Sequence, residues 1–146
     1  MEYPFKQTKE FTVQRNLPTF SGGDFTVTDA NGNVVFKSSG KVLSLHRRRL
    51  LQGAAGNPLL TMEKKILTMH KRWRVFDGDS INGQNFAFSV KRSSVFQLKT
   101  SLDVFMSDNK DEKLCDFHVK SSYFNRSCKI YQGDRVIAEV NSINCC

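Results

Sequence analysis

Hydrophobic and polar residues alternate along much of the chain, most clearly in the segment 24–37, which reads DFTVTDANGNVVFK. The turn at its centre contains Asn31-Gly32, a pair that tolerates the positive backbone angles of a tight hairpin. Two apolar residues would share one face of each flanking strand, namely Phe25 with Val27 and Val34 with Phe36. The segment is therefore predicted to form a β-hairpin.

The same pattern recurs twice downstream, each time as a short turn between two apolar runs. These turns read Ala55-Gly56-Asn57-Pro58 and Gln132-Gly133-Asp134. Glycine, asparagine and proline favour turns because each suits the backbone angles that a chain reversal needs. The repeated hairpins predict a mainly β protein built as an antiparallel β-meander.

The composition is typical of one soluble globular domain. The chain has 146 residues, of which 39% are hydrophobic, and it contains twelve Phe, which suit the packed faces of strands. No apolar run approaches the roughly eighteen residues of a membrane span, and residues 1–17 lack the apolar stretch of a signal peptide. We therefore expect a cytoplasmic or nuclear protein whose cysteines remain thiols.

The net charge of +8 is concentrated in one part of the chain. The segment from Lys37 to Arg74 holds ten basic residues and one acid, Glu63, whereas the remainder has a net charge of −1. An asymmetry of this kind indicates an anionic partner. Eight of these cations are the candidate anion-binding or phospholipid-binding residues: Arg47, Arg48, Arg49, Lys64, Lys65, Lys71, Arg72 and Arg74.

Strand alternation would divide these candidates between two sides. If His70 to Val75 is a strand, Arg72 and Arg74 point away from Trp73, and Arg48 would oppose Arg49. Anionic phospholipid headgroups and nucleic acid phosphates are the candidate partners. The alternative is a solvated basic face that binds nothing and protects strand edges from pairing.

The sequence offers no constellation that points to an enzyme. His118 and the other histidines have no partners at metal-ligand spacing, and Cys115 and Cys128 do not form a Cys-x-x-Cys pair. Phosphate-binding glycine loops and nucleophile elbows are also missing. We expect no catalytic residues, no metal and no cofactor, and we expect Cys115 to share one buried strand face with Phe117 and Val119.

Six short blocks of the chain occur in a recognisable order: Gly23 to Gly32, Ala55 to Thr61, Leu67 to Trp73, Lys99 to Phe105, Cys115 to Val119 and Ser127-Cys128. Together they resemble the plant LURP-one-related family, whose members share a fold with the tubby and phospholipid scramblase proteins. The resemblance divides the chain into a first-strand segment over 1–20, a tubby-like domain over 21–140 and an atypical tail over 141–146. It does not extend to the phosphoinositide pocket of tubby proteins, because no matching motif is present.

The resemblance implies a twelve-stranded antiparallel barrel closed around an apolar C-terminal helix. The sequence would stop before that helix and the last strands, so we expect the tubby-like barrel to be open. Losing a helix with roughly ten large apolar side chains would remove on the order of 15 to 30 kcal/mol of burial. We therefore expect this chain alone to be marginally stable, dependent on a partner or prone to aggregation.

Three functions follow as hypotheses from the residues and the resemblance together. The first is a non-enzymatic binding or scaffold protein in plant defence or signalling, which touches anionic phospholipid headgroups or a protein partner. Its location would be cytoplasmic or nuclear, or peripheral at the plasma membrane. The second is nucleic-acid binding through the segment from Lys37 to Arg74, and the third and weakest is lipid scrambling.

Overall fold

The structure of the 146-residue chain is a computed structural model. It describes residues 8–16, 24–40, 48–65, 71–93, 101–122 and 127–141. Within these ranges one 3-10 turn, Gly83–Asn85, accompanies eleven β-strands, and there is no α-helix. The strands are β1 (Phe11–Arg15), β2 (Phe25–Asp29), β3 (Val34–Gly40), β4 (Arg49–Gly53), β5 (Pro58–Lys65), β6 (Arg72–Asp77), β7 (Phe86–Arg92), β8 (Ser101–Met106), β9 (Phe117–Ser122), β10 (Ser127–Gln132) and β11 (Arg135–Asn141).

All eleven strands form one sheet in the order of the sequence. Each strand pairs antiparallel with its neighbours along the chain, and β1 joins the sheet by pairing with β2 over its whole length. Strands β1 and β11 are the edges, and within the described residues no pairing joins them, so the sheet is open. The prediction of a mainly β, antiparallel and open meander is confirmed.

The three predicted hairpins are present, and in each of them the chain reverses at the glycine of the predicted turn. Gly32, Gly56 and Gly133 have φ values of +83°, +85° and +58°, in the left-handed region that only glycine adopts readily. They lie between β2 and β3, between β4 and β5, and between β10 and β11. Local turn chemistry therefore determines where the chain reverses.

The first hairpin departs from simple alternation at one point. Its register shifts between Val27 and Thr28, so Phe36 lies opposite Val27 but Val34 lies opposite Thr28. A bulge of this kind leaves one residue of the ladder unpaired and bends the strand. The expected sharing of one face by Val34 and Phe36 therefore fails, and Val34 is exposed.

Side-chain alternation gives the centre of the sheet two faces, named here after two residues of β6. The Trp73 face carries Trp73 and Val75, which lie beside Val90 and Phe88 of β7. The Arg74 face carries Arg74, which lies between Glu63 of β5 and Ser89 of β7.

The most buried side chains of the described residues lie mainly on the Arg74 face. There, the exposed fractions range from 2% to 6% for Thr61, Glu63, Phe76, Ser89 and Phe105. On the Trp73 face Val75 is equally buried, at 2%, while its apolar neighbours remain half-buried. The better-covered side of the central strands is thus the one that carries the charges.

Both edge strands expose apolar side chains. Phe11 and Val13 of β1 are 47% and 55% exposed, and Val140 of β11 is 52% exposed. Every residue of β1 and of β11 is exposed, which is expected of strands with one unpaired side.

The conformation of Gly32 gives a first testable prediction. A Cβ at this position would meet no atom within 4 Å, so Gly32→Ala adds backbone strain without a clash. The left-handed conformation costs an L-residue about 1–2 kcal/mol, and we expect the free energy of unfolding in urea to fall by that amount. Gly83→Ala is the matched control, because Gly83 also has open space and lies outside the left-handed region. Equal stability of both variants would contradict the prediction.

The carboxylate of Asp29 gives a second prediction. Hydrogen bonds from the amide N–H groups of Asn33 and Asn31, both at 2.9 Å, hold the turn together. The bond from the Asn33 amide is the main cause that lowers the pKa of Asp29 below its ordinary value of 3.8. A lowered folded-state pKa stabilises the fold above that ordinary value, and this stabilisation disappears as the pH falls through the folded-state pKa. Unfolding of Asp29→Asn should depend less on pH in this acidic range than unfolding of the natural chain, and identical acid profiles would refute the assignment.

Candidate anion-binding face

The register of β5, β6 and β7 brings the basic residues of β6 beside polar partners. Arg74 lies opposite Glu63 on one side and Ser89 on the other. One pair further along, Arg72 lies between Lys65 and Lys91. Because these positions alternate with apolar ones, all of them fall on the Arg74 face.

Glu63 is held between two guanidinium groups. Arg74 Nη2 donates to Glu63 Oε2 at 2.6 Å, and Arg48 Nη2 lies 3.8 Å from Glu63 Oε1. The Glu63 side chain is 8% exposed, whereas those of Arg74 and Arg48 are 39% and 44% exposed. The nearly buried charge is thus paired with two cations that reach solvent.

Glu112 forms the second cluster, and it comes from the loop between β8 and β9. Arg72 donates both to Glu112 and, at 3.0 Å, to the hydroxyl of Ser89, while Lys91 Nζ lies 3.2 Å from Glu112 Oε2. Glu112 has φ +48°, a left-handed conformation that costs such a residue about 1–2 kcal/mol. These ion pairs and a hydrogen bond from the Glu112 amide to Asn109 offset that cost.

The loop that carries Glu112 is itself fastened to β8. Asp116 Oδ2 accepts from the Met106 amide at 2.8 Å and from the Asn109 side chain at 2.9 Å. The Met106 bond is the main cause that lowers the pKa of Asp116. The loop therefore lies over the Arg74 face in a defined position.

Aromatic rings lie beneath the cations. The Arg74 guanidinium lies 5.3 Å from the centre of Phe76, and Lys91 Nζ lies 5.5 Å from the centre of Phe105. Cations attract the negative ring faces, and their long aliphatic stems cover apolar surface. This arrangement explains why the two phenylalanines are buried on a charged face.

The candidate cations do not form one continuous strip. Arg49 lines a groove on the Trp73 face, and Lys64 lies over the Trp73 ring at 6.0 Å. Lys71 is exposed just before β6, and Arg47 lies outside the described residues. Four candidates therefore belong to the Arg74 face, namely Arg48, Lys65, Arg72 and Arg74.

The groove on the Trp73 face is apolar and has a volume of about 270 Å³. Its walls are Arg49, Met62, Trp73, Val75, Phe88 and Val90. Trp73 thus lies on one face of the sheet, and the two arginines beside it in β6 lie on the opposite face.

Sequence reasoning missed two charged residues of the Arg74 face. Lys91 and Glu112 lie outside the basic segment, and Glu112 is separated from Arg72 by 40 residues. No sequence pattern links Glu112 with Arg72, because their contact depends on how the loop crosses β7 and β8. The position of Lys91, in contrast, can be predicted from the side-chain alternation of β7. Lys91 lies two residues after Ser89 and therefore shares its face.

Sequence reasoning also missed a cluster formed by Asp103, Cys115 and His118. Strand β9 begins at Phe117, so Cys115 lies before it and does not share a face with Phe117 and Val119 as expected. Its thiol lies instead with the side chains of Asp103 and His118. Burial, followed by the charge of Asp103, raises the pKa of Cys115.

Comparison with known proteins identifies the family. The LURP-one-related family model matches residues 9–145. The chain belongs to the LURP-one-related family. It is 43% identical over 134 residues to Protein LURP-one-related 15 of Arabidopsis thaliana, and 40% identical over 122 residues to Protein LURP1 of the same plant.

This member of the LURP-one-related family spans only part of these relatives. The alignments cover 90% of the chain and 62% of LURP-one-related 15, and 84% of the chain and 59% of LURP1. The X-ray structure of an Arabidopsis thaliana protein is similar at a TM-score of 0.65 and 34% identity, covering 88% of this chain and 71% of that one. Within the described ranges, no helix is long and apolar enough to cross a bilayer.

The two partners of Glu63 give a third prediction. Glu63→Gln removes the charge that Arg74 neutralises at 2.6 Å, and we expect it to lower the free energy of unfolding by about 1–3 kcal/mol. Arg48→Gln is the matched variant, because its contact is long and exposed and such pairs contribute about 0–1 kcal/mol. Urea denaturation measures both, and a larger loss for Arg48→Gln would contradict this ranking.

Proposed function

We propose that this LURP-one-related protein is a non-enzymatic binding protein that docks its Arg74 face on anionic phospholipid headgroups at a membrane surface. The observation that carries the proposal is the excess of cations held in fixed positions on that face. The proposed setting is plant signalling or defence, with the protein in the cytoplasm or nucleus and peripheral at the plasma membrane.

The charge count supports an anionic partner. Glu63 is shared by two cations and Glu112 by two more, so each cluster keeps one positive charge in excess. Lys65 adds one exposed cation with no ion pair among the described residues. These residues of the Arg74 face therefore carry three positive charges in excess.

The chemistry of arginine favours phosphate groups in particular. A guanidinium presents five donors in a planar fork that matches the oxygen atoms of a phosphate. The carboxylates hold Arg72 and Arg74 in place, so these side chains lose less conformational entropy when a headgroup arrives. Both arginines remain partly exposed, at 23% and 39% of the side chain.

The expected affinity from charge alone is low. A basic residue near an anionic leaflet contributes about 1 kcal/mol, so three charges in excess give about 3 kcal/mol, which corresponds to a dissociation constant of about 6 mM. Docking would therefore be reversible and sensitive to salt.

Nucleic-acid binding receives less support from the same face. Proteins that bind single strands stack bases on exposed aromatic rings. The rings below the cations of the Arg74 face, Phe76 and Phe105, are 2% and 5% exposed. Trp73 lies on the opposite face.

Vesicle sedimentation tests the proposal and gives a fourth prediction. The natural chain should sediment with vesicles that contain phosphatidylserine or a phosphoinositide, and not with pure phosphatidylcholine. Lys65→Gln should lower the apparent affinity by about fivefold, because one charge contributes about 1 kcal/mol. It removes only a cation without an ion pair, so the clusters around Glu63 and Glu112 stay intact.

Lys9→Gln is the matched control. It changes the net charge equally, and Lys9 is exposed, but it lies just before β1, far from β6 in the strand order. Its affinity should change by less than about threefold, because contributions fall off within a Debye length. Equal losses in Lys65→Gln and Lys9→Gln, or no binding to anionic vesicles, would refute the proposal. Binding of random DNA in preference to these vesicles would favour the nucleic-acid alternative.

A further inference from the structure

Three side chains with metal-binding atoms converge beside the Arg74 face. Asp103 comes from β8, His118 from β9, and Cys115 from the end of the loop that connects them. One ligand atom of each lies within 4.8 Å of the other two. We propose that Asp103, Cys115 and His118 form a binding site for a zinc ion.

The distances within the cluster indicate where the ion would lie. His118 Nδ1 lies 2.5 Å from Asp103 Oδ1, and the Cys115 sulfur lies within 4.8 Å of a ligand atom of each of the other two residues. The carboxylate is thus close to one nitrogen and one sulfur. A divalent cation would lie between these three ligand atoms.

The set of ligand atoms selects zinc over the hard cations. Thiolate, imidazole and carboxylate together are typical zinc ligands, and zinc is most often bound by four groups in a tetrahedron. Magnesium and calcium prefer shells made of oxygen. With three protein ligands, the fourth position would hold water.

Ser101 supplies the supporting contact that a histidine ligand needs. Its hydroxyl lies 2.9 Å from His118 Nε2, the ring nitrogen that faces away from Asp103. A metal on Nδ1 requires the ring proton to be on Nε2, and Ser101 Oγ is in place to accept a hydrogen bond from it. This contact would orient the imidazole toward the ion.

The protons and charges of this binding step balance. With zinc on Nδ1, the His118 ring carries its one proton on Nε2, and the Cys115 thiol releases its proton to solvent. The thiolate and the Asp103 carboxylate then neutralise the two charges of the zinc ion. No uncompensated charge is left in this half-buried place, where the Asp103 and His118 side chains are 24% and 25% exposed.

A small rearrangement would open the site. Bonds of about 2.0–2.3 Å in a tetrahedron separate the ligand atoms by roughly 3.3–3.6 Å, so the ligand atoms of Asp103 and His118, now 2.5 Å apart, must separate by about 1 Å. Both side chains lie on neighbouring paired strands, in register with each other. A separation of this size is within the reach of side-chain rotation.

A serine nucleophile is the competing interpretation, because Ser101, His118 and Asp103 also form a chain of hydrogen bonds. It leaves the thiol of Cys115 without a role. It also lacks an identified pair of donors for a developing oxyanion. The zinc site uses all four side chains.

Zinc would tie the loop between β8 and β9 to both strands. This loop also carries Glu112, which binds Arg72 and Lys91. The ion would therefore hold Glu112 over the Arg74 face.

Cobalt substitution tests the site and gives a fifth prediction. The experiment uses the full chain with Cys128, Cys145 and Cys146 replaced by Ser, so that Cys115 is the only thiol. Added Co²⁺ should produce the near-ultraviolet absorption of a thiolate-cobalt bond, and one equivalent of Zn²⁺ should remove it. Zn²⁺ should also raise the melting temperature, and a chelator should reverse the rise.

Three further variants separate the site from other effects. In the same background, Cys115→Ser and Asp103→Asn should lose saturable zinc binding, whereas Asp111→Asn, an exposed acid in the same loop, should retain it. Absence of the thiolate band, or a zinc-dependent rise in melting temperature that persists in Cys115→Ser, would overturn the proposal. These measurements use no vesicles, so their outcome is independent of the proposed lipid binding.

Discussion

A carboxylate that is almost buried must keep its cationic partners, and Glu63 imposes this constraint on the centre of the sheet. An unpaired ion in such a place costs several kcal/mol. A slip of one residue between β5 and β6 would move every side chain of β6 to the other face and separate Arg74 from Glu63. The burial of Phe76 beneath Arg74 depends on the same register. Pairing of one acid with one base thus fixes which side of the central strands is charged.

On the charged face, the side chains that stabilise the fold are therefore the same ones that the proposed binding would use. The arginines of β6 neutralise carboxylates and cover aromatic rings, and only the positive charge left over is available to a partner. A larger number of basic residues in the sequence does not translate directly into binding strength. The relevant quantity is the charge that remains after the internal pairs are formed.

Much of the fold could be predicted from the sequence because its determinants are local. The turn glycines are read directly from Asn31-Gly32 and its counterparts, and the alternation of β6 separates Arg74 from Trp73. The candidate site could be predicted less fully from the sequence, because Glu112 contacts Arg72 across two intervening strands. The cluster around His118 escaped detection because metal-site rules rely on regular spacing, whereas its ligands come from two strands and the irregular loop between them. The family itself was recognisable from the six short blocks and is confirmed by the match over residues 9–145.

The strict order of the strands has a consequence for how the chain folds. Every strand of the described ranges pairs only with the strands next to it in sequence, so each hairpin can form without waiting for a distant segment. Contacts between residues close in sequence form quickly, because little loop entropy is lost. The sheet can therefore assemble progressively from β1 as the chain leaves the ribosome. The contact of Arg72 with Glu112 requires β7, β8 and the following loop, and it would close only after the central strands have formed.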